Sequence, residues 1–122
     1  MRVLIVDAAN VVGSRPDGWW RDRAGAARRL HDALAAAELG YDEVVLVLEG
    51  AAKRGQMPGS SGRVLTVHAP GSGDDAIVRM VRERADEAAE ILVVTADRGL
   101  RDRVAAARGR CAGPSWLLQK LP

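Results

Sequence analysis

Six residues carry the side chains and spacing from which a site can be built. Asp7, Glu49 and Asp97 each come after a run of branched apolar residues: Val3-Leu4-Ile5-Val6, Val44-Val45-Leu46-Val47-Leu48 and Ile91-Leu92-Val93-Val94-Thr95. Asp74 and Asp75 come after Gly71-Ser72-Gly73, and Asn10 stands three residues after Asp7. Carboxylates gathered at one place repel unless a cation intervenes or some are protonated. Mg²⁺ or Mn²⁺ suits such a group, being hard ions that take oxygen ligands and waters. An ion of that kind makes hydroxide from bound water and stabilises charge on a phosphoryl oxygen. The expected chemistry is phosphodiester hydrolysis.

The elements that would position these residues are read from the apolar pattern. Short unbroken apolar runs suit strands buried on both faces of a parallel sheet. Arg63-Val64-Leu65-Thr66-Val67 supplies another strand before Asp74. Between the strands, apolar residues recur at helical spacing: Trp20, Ala24, Ala27, Leu30, Leu34 and Ala37, then Ile77, Val78, Val81 and Ala85. Asp17 is the expected N-cap of the first of these helices, near Trp19, and Gly40 its end. Val11 to Gly18 and Ala51 to Gly62 read as loops, the second mobile. A helix is expected from Asp97 to about Arg108, and Ser115-Trp116-Leu117-Leu118 as a last short strand. Alternating strands and helices imply a three-layer α/β/α sandwich with a central, mostly parallel sheet. In open α/β sheets ligands bind at the carboxyl ends of the strands. All these acids would meet there.

Each acid also has an ordinary structural role open to it. Ser72-Gly73-Asp74-Asp75 fits a capping box, in which Asp75 serves the backbone alone. Asp97 fits an N-cap, where an acid is favourable in any case. Glu49 before glycine reads equally as a solvated turn residue. Nothing near Asp7 suggests a cap. Gly71 to Ala76 also matches G-x-G-x-x-A, but its two aspartates would face and repel a pyrophosphate, so dinucleotide binding is disfavoured. No Walker sequence occurs. His31 is expected exposed on a helix, and His68 has no evident partner. Neither makes a zinc site or a Ser-His-Asp triad.

With 122 residues and 48% apolar content, residues 1–122 are expected to form one domain with a real core. No apolar run approaches the ~18 residues that span a bilayer. Since the sequence runs straight into a strand, no secretory leader is expected. Cys111 is the one cysteine, which excludes an intrachain disulfide and fits a reducing, cytoplasmic setting. A net charge of +2 does not announce a nucleic-acid binder. Yet Lys53 and Lys120 are the only lysines, and arginine grips phosphate in a bidentate fork. An Ala-, Arg- and Gly-rich composition explains most of these arginines, so only those beside the acids count. Arg98, directly after Asp97, is the expected phosphate contact, with Ser14 and Arg15. Arg101, Arg103, Arg108 and Arg110 extend the same positive face. One of Trp19 and Trp20 offers a stacking surface for a base; the other is expected in the core.

The pieces V-D-A-A-N-V, L-E-G, G-S-G-D-D-A and V-T-A-D-R-G-L, in that order and strand context, resemble the NYN domains of the PIN-like nuclease superfamily, in particular the YacP-like group. The similarity spans nearly the whole chain. It implies a PIN-like fold, a divalent-metal site of Mg²⁺ or Mn²⁺ and ribonuclease activity on RNA. Asp7, Asp74 or Asp75, and Asp97 match the metal-site acids, and Asn10 the polar partner that orients water or a ligand. The family often has aspartate where this chain has Glu49, which leaves that residue's role open. Two other functions fit the same residues: a non-catalytic RNA- or protein-binding module, and a nucleotide phosphohydrolase. A homo-oligomer or protein partner is left open by the sequence.

Overall fold

The computed structural model describes residues 1–88 and 90–122. Its elements in chain order are β1 (Arg2–Asp7), α1 (Ala8–Gly13), α2 (Arg23–Ala36), β2 (Glu43–Leu48), β3 (Gly59–Ser61), β4 (Val64–His68), α3 (Gly73–Arg84), β5 (Glu90–Val94), α4 (Arg98–Ala106), β6 (Arg110–Ala112) and α5 (Pro114–Leu118). The strands form one sheet in the order β3-β4-β2-β1-β5-β6. Every pairing is parallel except the short edge pair of β3 with β4.

The apolar runs are unbroken because both faces of the sheet are covered. Side chains alternate across a strand, so Val3 and Ile5 join Val45 and Val47 beneath Ile77 and Val81 of α3 and Leu100 of α4. Leu4 and Val6 join Leu46 and Leu48 on the other face, against Val11 of α1, Leu30 and Leu34 of α2 and Leu117 of α5. Each such fully buried side chain contributes about 1.5–3 kcal/mol. This is an α/β sandwich with helices on both faces. Among the described residues no helix is long and apolar enough to cross a membrane.

Several local expectations are corrected. Val11 to Gly13 is not loop: α1 begins at Ala8, immediately after β1, because Asp7 accepts a hydrogen bond from the Asn10 N–H and caps it. Asp17 caps nothing. Trp19–Arg21 forms a separate 3-10 turn behind Gly18, whose φ of 78° is left-handed. The long helix then starts behind Asp22, which accepts from the Gly25 N–H. The supposedly mobile loop after β2 holds a 3-10 helix over Gly50–Gly55, then β3. Gly55 packs so closely on α2 that a Cβ there would strike the Ala24 carbonyl. The last strand is Arg110–Ala112, three residues pairing with β5. Ser115 to Leu118 is helical, with Pro114 placed where a helix tolerates proline. α4 stops at Ala106, and Arg108 takes φ 72° just before Gly109. His31 is buried, with Nδ1 3.1 Å from Asp32. His68 Nε2 lies 2.7 Å from the Gln56 carbonyl. Neither tryptophan is buried, and Trp20 is 54% exposed.

One ion pair ties the α3 end of the sandwich to the sheet. Arg84 donates through Nε and Nη2 to the two oxygens of Glu43 at 2.7 and 3.3 Å, with both side chains mostly buried. Glu43 holds the guanidinium above its ordinary pKa. Arg84→Met is expected to lower stability by about 1–3 kcal/mol, read as a fall in the urea midpoint at neutral pH. A loss that disappears when Glu43→Gln is combined with it would place the cost in the pair itself.

Candidate active site

The four central strands end side by side, since β1 is in parallel register with both β2 and β5, and β2 with β4. The segments that leave these strands therefore start from one edge of the sheet. A cavity of about 230 Å³ lies there, lined by Asp7, Ala9, Asn10, Glu49, Asp74 and Asp97. Each carboxylate comes from a different strand end: β1, β2, the α3 start after β4, and the loop after β5.

Asp7 is the buried member, 6% exposed. Its Oδ2 accepts from the Thr95 hydroxyl at 2.9 Å and its Oδ1 from the Asn10 N–H at 3.4 Å. Burial pushes its carboxyl up from 3.8 to about 6, and repulsion from Asp74 and Glu49 adds to the rise, against the two hydrogen bonds. Asp74 is raised as well, first by burial and then by Asp97 and Glu49. Like charges crowded together disfavour ionisation. Glu49 accepts from the Gly73 N–H at 3.2 Å, and Gly73 is buried with no slack for a Cβ beside that carboxylate. Glu49 thus lines the cavity, although the sequence leaves it undecided between turn and site.

Asp97 lines the cavity and is also the N-cap of α4, its Oδ1 accepting from the Leu100 N–H at 2.8 Å. Asn10 accepts from the Ala96 N–H at 2.7 Å, fastening α1 to the segment that carries Asp97. Its Nδ2 keeps two donors. Asp75 goes elsewhere: it is exposed, absent from the cavity lining, and its Oδ1 meets Arg103 Nη2 at 2.9 Å. Arg98 is exposed beside Asp97. Ser14 and Arg15 are not in the carboxylate cavity. Ser14 lines an adjoining groove that shares Ala9 and Asn10 with it, while Arg15 lines a separate cleft against α2 and the C-terminal residues. Arg101 is spent on the Thr95 carbonyl at 3.0 Å.

Thr95 is the residue that sequence reasoning passed over. Fully buried, it donates to Asp7 and accepts from the Asp97 N–H at 3.2 Å, joining two of the acids. The available signal is a hydroxyl at the end of an otherwise apolar strand, since a buried hydroxyl must find a partner. In metal-free protein, Thr95→Val is expected to cost about 1–3 kcal/mol. It should also move the Asp7 titration, monitored by NMR of the carboxyl carbon, further above its position in the parent. An unmoved titration would mean that the hydroxyl does not hold Asp7.

The donor set is all oxygen, four carboxylates and one amide, which suits a hard divalent cation. Burial first, and repulsion among the acids after it, raises Asp7 and Asp74, and a bound cation would offset both. Among the described residues, no three acidic, histidine or cysteine side chains already stand close enough to form a ready ligand group.

No protein-family model matches the chain, and no curated protein matches it. Among solved structures, the crystal structure of a mutant of Rae1 (YacP) from Bacillus subtilis is similar, with a TM-score of 0.79 over 98% of this chain and 74% of that one, at 19% identity. The chain has a YacP-like fold. At that identity the likeness carries the fold alone. It agrees with the α/β sandwich expected of the YacP-like group, and the cavity of four acids belongs to this chain's own residues.

Proposed function

We propose that the protein is a metal-dependent ribonuclease that hydrolyses RNA phosphodiester bonds. The observation that carries this reading is the meeting of Asp7, Glu49, Asp74 and Asp97 around one cavity. A YacP-like fold, matching the nuclease group whose motifs the sequence resembles, supports it. Asp7, Asp74 and Asp97 would hold Mg²⁺ or Mn²⁺, which when bound supplies a hydroxide from water and offsets charge on the phosphoryl oxygens. Arg103, paired with Asp75, tempers the charge of the acidic rim, to which Asp75 itself adds. Both oxygens of Asp7 accept one hydrogen bond, so the carboxylate is held in one orientation with lone pairs to spare. Asn10, locked through its oxygen, presents its N–H₂ to a water or a phosphate oxygen. Arg98, exposed and next to Asp97 in the chain, would meet an incoming phosphate.

The test is cleavage of varied single-stranded and structured RNAs with Mg²⁺ or Mn²⁺. Cleavage that disappears in Asp7→Asn and Asp97→Asn, with folding retained, is the expected result. A well-folded protein that leaves every RNA intact across metals would sink the proposal. A second reading, a non-catalytic RNA-binding module, is favoured by two observations: Asp7 and Asp97 both serve as helix caps, and among the described residues the acids form no ready ligand group. It expects RNA binding that is the same with and without metal, and no cleavage.

A further inference from the structure

Two further clefts open from the carboxylate cavity. On one side, a groove of about 550 Å³ shares Ala9 and Asn10 with it and runs past Ser14 and Ser115. On the other, a pocket of about 290 Å³ shares Ala9 and Glu49 with it and is walled by Trp19. Ligand pockets generally span ~300–1,000 Å³, so this one is sized for a single ring system. Apart from Trp19, Glu49 and Arg23 its lining is small and apolar, mostly alanine.

Trp19 is held as a wall. Its ring meets Trp20 edge-on with centroids 6.0 Å apart, and the Arg23 guanidinium lies 5.2 Å over it. Arg23 is exposed and pairs with no acid among the described residues. An apolar slot with an aromatic wall and an unpaired cation at its mouth matches a nucleotide: a flat base for the slot, a phosphate for the guanidinium. The two clefts flank the acids and share Ala9 with their cavity, an arrangement that suits a strand whose bond to be cut lies at its middle.

We propose that the Trp19 pocket takes the base of a nucleotide flanking the scissile phosphate of a single-stranded RNA, whose chain continues along the Ser14 groove. This rests on the ribonuclease reading and deepens it. A duplex, whose bases are stacked and paired, cannot enter the slot.

The experiment measures equilibrium binding to the Asp7→Asn protein with Mg²⁺ present. The probes are a single-stranded oligoribonucleotide and a ribose–phosphate chain of equal length without bases. Stacking is worth about 1–3 kcal/mol per base, so the base-bearing chain is expected to bind about tenfold tighter or more. Adding Trp19→Leu should bring that ratio close to one, while Trp19→Phe, which keeps a stacking face, should retain most of it. A ratio as large in the Trp19→Leu protein as in its parent overturns the pocket, and so does an absence of binding by either probe. RNA cleavage by the wild type alongside an unchanged ratio removes the pocket and leaves the nuclease reading standing. A Trp19-dependent ratio in a protein whose wild type cleaves nothing removes the nuclease and keeps the pocket.

Discussion

Replacing Asp7 by asparagine is expected to abolish RNA cleavage and, in metal-free protein at neutral pH, to make the fold more stable. The first effect comes from the proposed role. Losing several kcal/mol of charge stabilisation at the transition state lowers the rate about 10³-fold or more. The second comes from the burial of a carboxylate among other carboxylates. Asp7 titrates near 3.8 when exposed and at about 6 in the fold, so between those values the native state holds the proton more tightly than the unfolded one. Stability of the wild type must therefore fall as pH rises through that window, and stay lowered above it. The rise is worth about 3 kcal/mol at most. Asparagine carries no charge to lose and is as good an N-cap as aspartate, so it keeps the bond from the Asn10 N–H.

The expected measurement is a pair of urea unfolding curves in chelator. Asp7→Asn should be about 1–3 kcal/mol more stable at pH 7.5, and the difference should vanish below about pH 4, where both states of the wild type are protonated. Added Mn²⁺ should raise the wild-type midpoint much more than that of the variant, because only the wild type keeps the full set of acids. A variant less stable than its parent at pH 7.5 would show that burying the Asp7 charge is not what costs stability. A site that costs stability in the resting protein is the usual signature of function over folding.

Leu100→Ala is expected to be the most destabilising change near the site. Leu100 is fully buried in the core beneath α3 and α4, and its N–H is the one held by Asp97. Truncating such a side chain costs about 2–5 kcal/mol, a large part of the ~5–15 kcal/mol available to a domain. The cavity left under the first turn of α4 should also loosen the cap and with it the placement of Asp97. Equilibrium unfolding should show a lowered midpoint, and residual RNA cleavage should fall even at temperatures where the protein is folded. Ala105→Ser on the exposed side of the same helix should change stability by less than about 0.5 kcal/mol. A loss at Leu100 no larger than that would contradict the packing.

The sheet was legible because of how it is buried. Strands covered on both faces carry apolar residues at every position, and Val3 to Val6, Val44 to Leu48 and Ile91 to Val94 do so. The acids at their ends were legible because parallel strands finish at one edge. Asp97 announced its cap because the bond to the Leu100 N–H is local, spanning three residues. The same spacing from Asp7 to Asn10 went unread, since the two valines after Asn10 mask the short helix α1.

What only the tertiary structure decided depends on groups far apart in the chain. Consecutive helical residues point about 100° apart, so Asp74 and Asp75 cannot both face the cavity, and Arg103 on α4 holds Asp75 outside. The burial of His31 and the exposure of Trp20 turn on which side of α2 and of the 3-10 turn meets the sheet, which the apolar spacing alone leaves open. The partnership of Thr95 with Asp7 spans 88 residues. The sequence by itself therefore determined the sheet and the edge where the acids assemble, through the local physics of burial and capping. Which acids turn inward, what holds them and how strongly they repel were decided by contacts between strands and helices that no short stretch of sequence contains.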